Sequence, residues 1–458
     1  MDMKKFKYFP IAFVLAFTGC MQPDEPVITS DNLLRDIKLS VPGVEGAFSP
    51  EEQGPYANDS IEIVFEGDPK TDLTKSKITI SMPNNAVCKP AFGGYQDLSE
   101  PYQFKVIGYD GTEKDYTVSV RIIPSVFQVR TLYTKSATEM GFTDGANRAV
   151  ALSGNYFVVH SSTGVFNYYN VADASLAGTL SMSGIGWSTL TAPAMTKAFY
   201  MTSDDAGHIF AANLVTGDGG TVKMYQWDNV TATPKLLITW VNNQGGQVGR
   251  KFYVKGDVAK TAYIYFPVAT MNKFVRFEVI NGVVTSTTPD AVTITNSGSW
   301  DNNGLIVPTD VSKKSNYFTI GDYSSPEGWP GFNTVYNDGV TNQPLYIGDA
   351  FQFLGYSSGM DYIDFMGIKL LFQTELNAWN WMTYYMKVSK IIKDPTISTD
   401  MSPYISGHDW GAWSSTDIGA NGNLTTDVKT LLAPDGESAT IVYLGTNTGI
   451  VVKKLSVE

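Results

Sequence analysis

Three deficits bound what this chain can be. Of 458 residues only two are cysteine and three histidine, too few for a disulfide scaffold or a histidine-rich metal centre. Charged residues make up 17%, and 33 Lys+Arg stand against 45 Asp+Glu, a formal net charge of −12. No basic face is therefore expected, which excludes electrostatic capture of nucleic acid. HExxH, P-loop and paired CxxC patterns are missing, so neither metal nor cofactor is expected. What is abundant is 43% hydrophobic residues, with 42 Gly, 25 Tyr and 24 Phe. That composition supplies a large core and favours strands and turns over helices and disorder.

The first segment reads as an address. Lys4, Lys5 and Lys7 precede the apolar run Ile11–Phe17, which is too short to cross a bilayer as a helix. It ends in Thr18-Gly19-Cys20, and small residues before a cysteine resemble the cleavage box of bacterial lipoproteins. The resemblance implies a signal peptide over 1–19 and a diacylglyceryl group on Cys20. Two or three acyl chains hold a protein to a membrane far more firmly than one. An ordinary cleaved signal with a chance cysteine is the alternative. Met21-Gln22-Pro23-Asp24-Glu25 resembles the short acidic export tag of Bacteroidetes lipoproteins, implying outer-membrane anchorage facing outward, with the periplasmic leaflet as the alternative. Residues 20–33 form the lipidated tether. Cys88 is then a single thiol, read as a small buried hydrophobe, with a reactive thiol as the alternative.

Residues 34–123 are predicted to form an Ig-like β-sandwich. Period-two runs occur at Ile37–Val41, Ile61–Phe65, Lys77–Ile80, Phe104–Ile107 and Tyr116–Val120, separated by Pro42-Gly43, Pro83-Asn84-Asn85 and Asp110-Gly111. Asp110-Gly111 followed by Tyr116-x-Val118-x-Val120 resembles the N-terminal Ig-like module of Bacteroidetes surface lipoproteins of unknown function. The resemblance implies a spacer and brings no catalytic residue. Asp59-Ser60-Ile61 looks like their short O-glycosylation signal; an exposed strand start is the alternative.

Residues 124–458 are predicted to form a β-propeller of six blades, with seven blades or a large irregular sandwich as alternatives. Tyr156–Phe166 can be laid over Ile441–Val451, strand, Thr-Gly turn and strand in both. Four looser hairpins lie between them: Ile209–Trp227, Tyr263–Val279, Tyr317–Tyr336 and Ile368–Val388. Their spacing of roughly 45–60 residues suits blades. Phe127–Leu132 is expected to complete the last blade and close the ring. The layout as a whole resembles Bacteroidetes lipoproteins that pair an Ig-like domain with a propeller.

The candidate site is a set of Gly-, aromatic- and acid-bearing loops expected before inner strands: Gly141–Gly145 with Asp144, Gly184–Trp187, Asn242–Gly246, Gly298–Asn303, Gly359–Tyr362 and Gly407–Trp413. One channel mouth would collect Trp187, Trp300, Asp301, Asp361, Tyr362, Asp409, Trp410 and Trp413. Aromatic faces stack on sugar C–H surfaces, and carboxylates and amides bond hydroxyls. The bland reading makes the tryptophans wedges between blades and the aspartates turn caps. Non-catalytic glycan binding is the leading expectation. The alternatives are a glycoside hydrolase using paired aspartates from Asp144, Asp301, Asp361 and Asp409, and a protein-interaction scaffold of an outer-membrane complex. Gly355-Tyr356-Ser357-Ser358-Gly359 matches the nucleophile-elbow pattern, with His408 following, but nothing around it reads as the required helix. His160, His208 and His408 are read as structural, and Asp301–Gly304 as a turn, not a calcium loop.

Overall fold

In a computed structural model, residues 31–295, 302–324, 330–347, 355–377, 382–391, 405–414, 418–422 and 425–457 are described. Among them the chain is all-β, with strands, one 3₁₀ turn at Trp187–Thr189 and no α-helix. No helix among the described residues is long and apolar enough to cross a membrane. The chain divides into two units between Ile123 and Pro124.

In the first unit Asp36–Ser40 pairs with Lys77–Ser81, and a four-stranded sheet runs in the order Ser60–Gly67, Glu113–Pro124, Tyr102–Ile107, Val87–Lys89. The period-two runs behave as written. Ile61, Ile63 and Phe65 turn inward while Glu62 faces water, because successive side chains on a strand point to opposite faces. They share a core with Leu39, Phe104, Val106 and Tyr116. The Tyr116 hydroxyl donates to Tyr56 O and accepts from Leu34 N, stapling the entering chain to the sheet.

Among the described residues, the second unit holds six consecutive antiparallel sheets. Their first strands are Val150–Ser153, Ala194–Ser203, Tyr253–Gly256, Leu305–Pro308, Gly355–Phe365 and Thr426–Leu432. Each hairpin singled out in the sequence is the middle pair of one sheet: Ile209–Val215 with Thr221–Trp227, for example, or Ser438–Gly445 with Gly449–Val457. The sixth sheet takes its fourth strand from the start of the unit, Phe127–Ser136 pairing with Gly449–Val457.

First strands of successive sheets lie against one another, and that of the sixth sheet returns to that of the first. This order explains the burial. Val150–Ser153, Tyr253–Gly256 and Leu305–Pro308 are buried at every position, because neighbouring sheets cover both faces, unlike the one-sided strands of the first unit. Apolar layers span adjacent sheets. One joins Ala149, Ala151 and Phe166 of the first to Met201, Phe210 and Trp227 of the second and Phe252, Val254 and Phe266 of the third.

Candidate functional site

The first strands carry polar side chains that their burial would forbid unless paired. Lys251, Lys255, Ser358, Asp361, Thr426, Asp427, Lys429 and Thr430 are all buried. Asp361 accepts from Lys429 Nζ at 3.2 Å, from Thr430 N at 2.6 Å, from Thr430 Oγ1 at 2.7 Å and from the Tyr253 hydroxyl. Asp427 accepts from Val150 N and from the Tyr200 hydroxyl, both at 2.9 Å. Lys251 donates to the carbonyls of Ser358 and Thr426. Lys255 pairs with Asp205 at 3.1 Å. Three ammonium groups also lie over aromatic rings: Lys251 over Tyr200, Lys429 over Tyr253 and Lys255 over Tyr362. Burial pushes Asp427 up to about 6 against the pull of Lys251, and holds the Tyr200 and Tyr253 hydroxyls well above their ordinary range. This is a cross-linked polar column that ties the first strands together.

A second cluster sits where the chain enters those strands. Arg148 precedes the first strand of the first sheet, Phe199 lies in that of the second, and Arg250 precedes that of the third. All three are half-buried. The Arg148 and Arg250 guanidinium carbons lie over the one Phe199 ring, 4.7 and 5.3 Å from its centroid. Arg148 Nε donates to Gly145 O at 2.9 Å, and Arg250 Nε to Asn303 Oδ1 at 3.3 Å. Next to Arg148, Phe142, Asn147, Ser161, Thr163, Asn167 and Tyr169 line a polar recess of 130 Å³.

The segments at 141–145, 184–187 and 242–246 do precede first strands. Gly359–Tyr362 does not: it is extended, inside the first strand of the fifth sheet. Gly359 reads as a turn former but serves a close approach. A Cβ there would sit 2.2 Å from Thr374 Oγ1 and 2.8 Å from Asp427 Cα. Asp361 and Tyr362 are 1% and 2% exposed, so neither offers a surface to a ligand. The Gly355–Gly359 pattern likewise lies in a strand and not at the strand-to-helix turn a nucleophile elbow needs. Gly407–Trp413 is likewise no loop: it belongs to the fourth strand of the fifth sheet. Trp413 there is half-buried; the side chains of His408, Asp409 and Trp410 lie outside the described set.

Trp187 is 3% exposed. Its Nε1 donates to Lys223 O, and its ring packs edge-on against Tyr225 at 5.1 Å, so it is a core side chain anchored on the second sheet. Trp227, not singled out beforehand, takes the wedge role between the first two sheets, donating to Ser181 O and meeting Phe166 edge-on. Asn242 is buried, spending its amide on Gly217 O and Gly246 O. Asp144 accepts from Asn447. Trp300, Asp301 and Cys20 lie outside the described residues.

His160 is fully buried with Nε2 3.3 Å from Ala198 O, and burial pushes it down to about 4. His208, Asp204 and Asp257 converge as three potential metal ligands. Asp204, however, already accepts from the backbone of Ala206, His208 and Val258 and from His208 Nδ1 at 2.8 Å. It reads as a clasp between the second and third sheets. Cys88 faces Pro90 O, its thiol pushed up to about 11 by burial. The arginine cluster escaped the sequence reading because Arg148 and Arg250 stand 102 positions apart in no motif, and only their position before strand starts could have flagged them.

Residues 131–346 match a family model described as a domain of unknown function, DUF8500. Residues 47–120 match the model "SGBP, N-terminal", that of surface glycan-binding proteins. Among solved structures, a DUF4623 family protein from Bacteroides eggerthii is similar in fold: 14% identical, with 93% of this chain and 98% of that one covered and a TM-score of 0.54. A putative secreted protein from Bacteroides fragilis is 14% identical over 20% of this chain and 96% of its own, at a TM-score of 0.16. Sqt1 from Saccharomyces cerevisiae is 9% identical over 68% and 96%, at 0.35. No curated protein matches the chain.

Proposed function

We propose that this chain is a cell-surface lipoprotein that binds an extracellular glycan without turning it over. Cys20 carries the acyl anchor in the outer membrane, residues 34–123 form an Ig-like spacer, and residues 124–458 form a six-bladed β-propeller that holds the ligand. The observation that carries the reading is the match of residues 47–120 to the N-terminal model of surface glycan-binding proteins. The propeller assignment is supported by six consecutive sheets whose first strands follow one another in a cycle, with Phe127–Ser136 completing the sixth. Such closure protects edge strands from pairing with other chains.

The polar column argues for binding at a surface and against passage or catalysis along the axis. A hydrolase of the paired-acid type needs two carboxyl groups flanking a sugar. Asp361 and Asp427 are 1% exposed and engaged with protein donors, so no sugar can lie between them. Among the residues named from sequence, Trp300, Asp301, Asp409, Trp410 and Trp413 remain as ligand contacts under this proposal. The test is a glycan array with the full chain, reading retention and released sugar together. Retention without release is expected. Release would make the chain an enzyme. Silence on both, with a protein partner co-purifying from cells, would favour the scaffold reading. Anchorage is tested by metabolic labelling with an alkyne fatty acid, which Cys20→Ser must abolish.

A further inference from the structure

We propose that the polar recess lined by Phe142 and Tyr169 receives one uncharged sugar unit of the glycan, a chain end or a single-residue branch. The inference rests on the glycan-binding reading and names the part of the ligand that one site takes.

The sequence holds two copies of one turn, Ser161-Ser162-Thr163-Gly164 in the first sheet and Thr446-Asn447-Thr448-Gly449 in the sixth. The fold puts them to different uses. In the sixth, Thr446, Asn447 and Thr448 are buried and engaged with protein: Thr446 with Thr425 Oγ1 at 2.7 Å, Asn447 with Gly145 N and Asp144, and Thr448 with Met382 O. In the first, Thr163 is exposed and Ser161 half-buried, and both line the recess. Their hydroxyls lie 2.9 Å apart and share one hydrogen bond. Two hydroxyls so joined leave one proton free for a further acceptor. Thr163 N and Val165 N donate to the two oxygens and hold them in place.

The rest of the recess suits a neutral ligand. Phe142 and Tyr169 are buried and form its floor, Tyr169 fixed by stacking on Phe157 at 5.3 Å. Thr143 stands exposed beside them; its backbone N–H goes to Asn147 Oδ1, and its hydroxyl is bonded to no described residue. Asn167 accepts from Thr179 Oγ1 at 2.9 Å, and its amide donates toward the Tyr169 hydroxyl, which keeps its own proton. No charged side chain lines the recess. A cation would find no carboxylate there and an anion no ammonium or guanidinium. Sugar hydroxyls both donate and accept, and so match neutral hydroxyls and amides. The volume of 130 Å³ is well below the roughly 300–1,000 Å³ of sites that enclose a whole drug-sized ligand. It has room for one sugar unit and none for a run of them.

The experiment runs the full chain on an array of neutral and acidic glycans, galactomannan and polygalacturonate among them, and carries the best-retained neutral member forward. An excess of the free monosaccharide found at its chain ends or branches should displace it. Thr163→Trp, at an exposed position, should fill the recess and cut retention about tenfold or more. Tyr169→Phe keeps the ring and removes one hydroxyl, so retention should fall about threefold to tenfold, the worth of one hydrogen bond. Melting temperature should stay within about 2 °C of the parent in both variants; Thr143→Trp, from the other loop, replaces either one that melts earlier. Retention confined to acidic glycans would overturn the uncharged site and leave glycan binding standing. Retention unchanged in the variants would overturn the residue assignment, and retention indifferent to free monosaccharide would overturn the single-unit fit. An array with no retention at all would overturn the glycan-binding reading itself and this subsite with it.

Discussion

Replacing Asp361 with Asn separates a structural from a functional role for the residue that looked most like a site aspartate. Its carboxylate takes Lys429 Nζ, Thr430 N, Thr430 Oγ1 and the Tyr253 hydroxyl. An amide offers one oxygen, so at most two of these donors keep an acceptor, and Lys429, 3% exposed, loses its counter-charge. Removing one partner of a buried ion pair costs about 3–5 kcal/mol. At roughly 2–3 °C per kcal/mol for a unit of this size, the melting temperature of Pro124–Glu458 should fall by about 6–15 °C. Asp361→Leu with Lys429→Met removes both charges and should recover at least half of the loss, since apolar replacement of a buried pair is often close to neutral. The assay is scanning calorimetry, with urea unfolding of the two single variants and the double to close the cycle. The reasoning fails if Asp361→Asn melts with the parent, or if the double variant is as unstable as the two single losses added together. Loss of ligand retention at unchanged melting temperature would return Asp361 to the binding site.

Trp187→Ala and Trp227→Ala should each destabilise by about 3–5 kcal/mol, as buried aromatic truncations do, read as an earlier urea midpoint; Trp300→Ala and Trp410→Ala should instead weaken glycan retention and leave that midpoint in place. Gly359→Ala forces a Cβ against Thr374 Oγ1 and Asp427 Cα, so soluble yield should drop sharply, whereas Gly154→Ala, with open space around its Cβ position, should still fold with a smaller loss from its left-handed backbone. His208 is raised above its ordinary 6.5, chiefly by its hydrogen bond to Asp204, and Asp427 is raised to about 6 by burial. A raised folded-state pKa gives stability that is complete below the unfolded value and disappears as pH climbs through the folded one, so both groups should make the urea midpoint fall as pH rises: Asp427 between about 4 and 6, His208 from 6.5 upward. His208→Ala should flatten the upper part of that profile, and an unchanged slope there would remove His208 from the account.

Much was legible from local pattern. Turn chemistry and period two located all five strands expected in the first unit, because a strand covered on one face must alternate. Val87–Lys89 was missed: three residues are too short to show a period. In the second unit the six hairpins emerged from long apolar runs and Gly turns, and each is the middle of one sheet. Sheets covered on both faces give no alternation to read, so first strands such as Val150–Ser153 carry no period, and Gly359–Tyr362, inside Gly355–Phe365, has the composition of a loop. Gly and Asp there were taken at their turn-forming value, when Gly359 answers to crowding and Asp361 to a buried lysine.

The sequence alone determined the all-β class, the division near Pro124, the number of hairpins and the return of Phe127–Leu132 to the last of them. These follow from properties of a few neighbouring residues: spacing of turns and side-chain alternation. Tertiary structure alone decided which polar residues are buried and which charges meet. Asp427 finds Val150 across 277 positions and Tyr200 across 227, and Arg148 and Arg250, from two distant segments, lie over the one Phe199 ring. Burial and pairing depend on which strands pack together, and no local pattern carries that information.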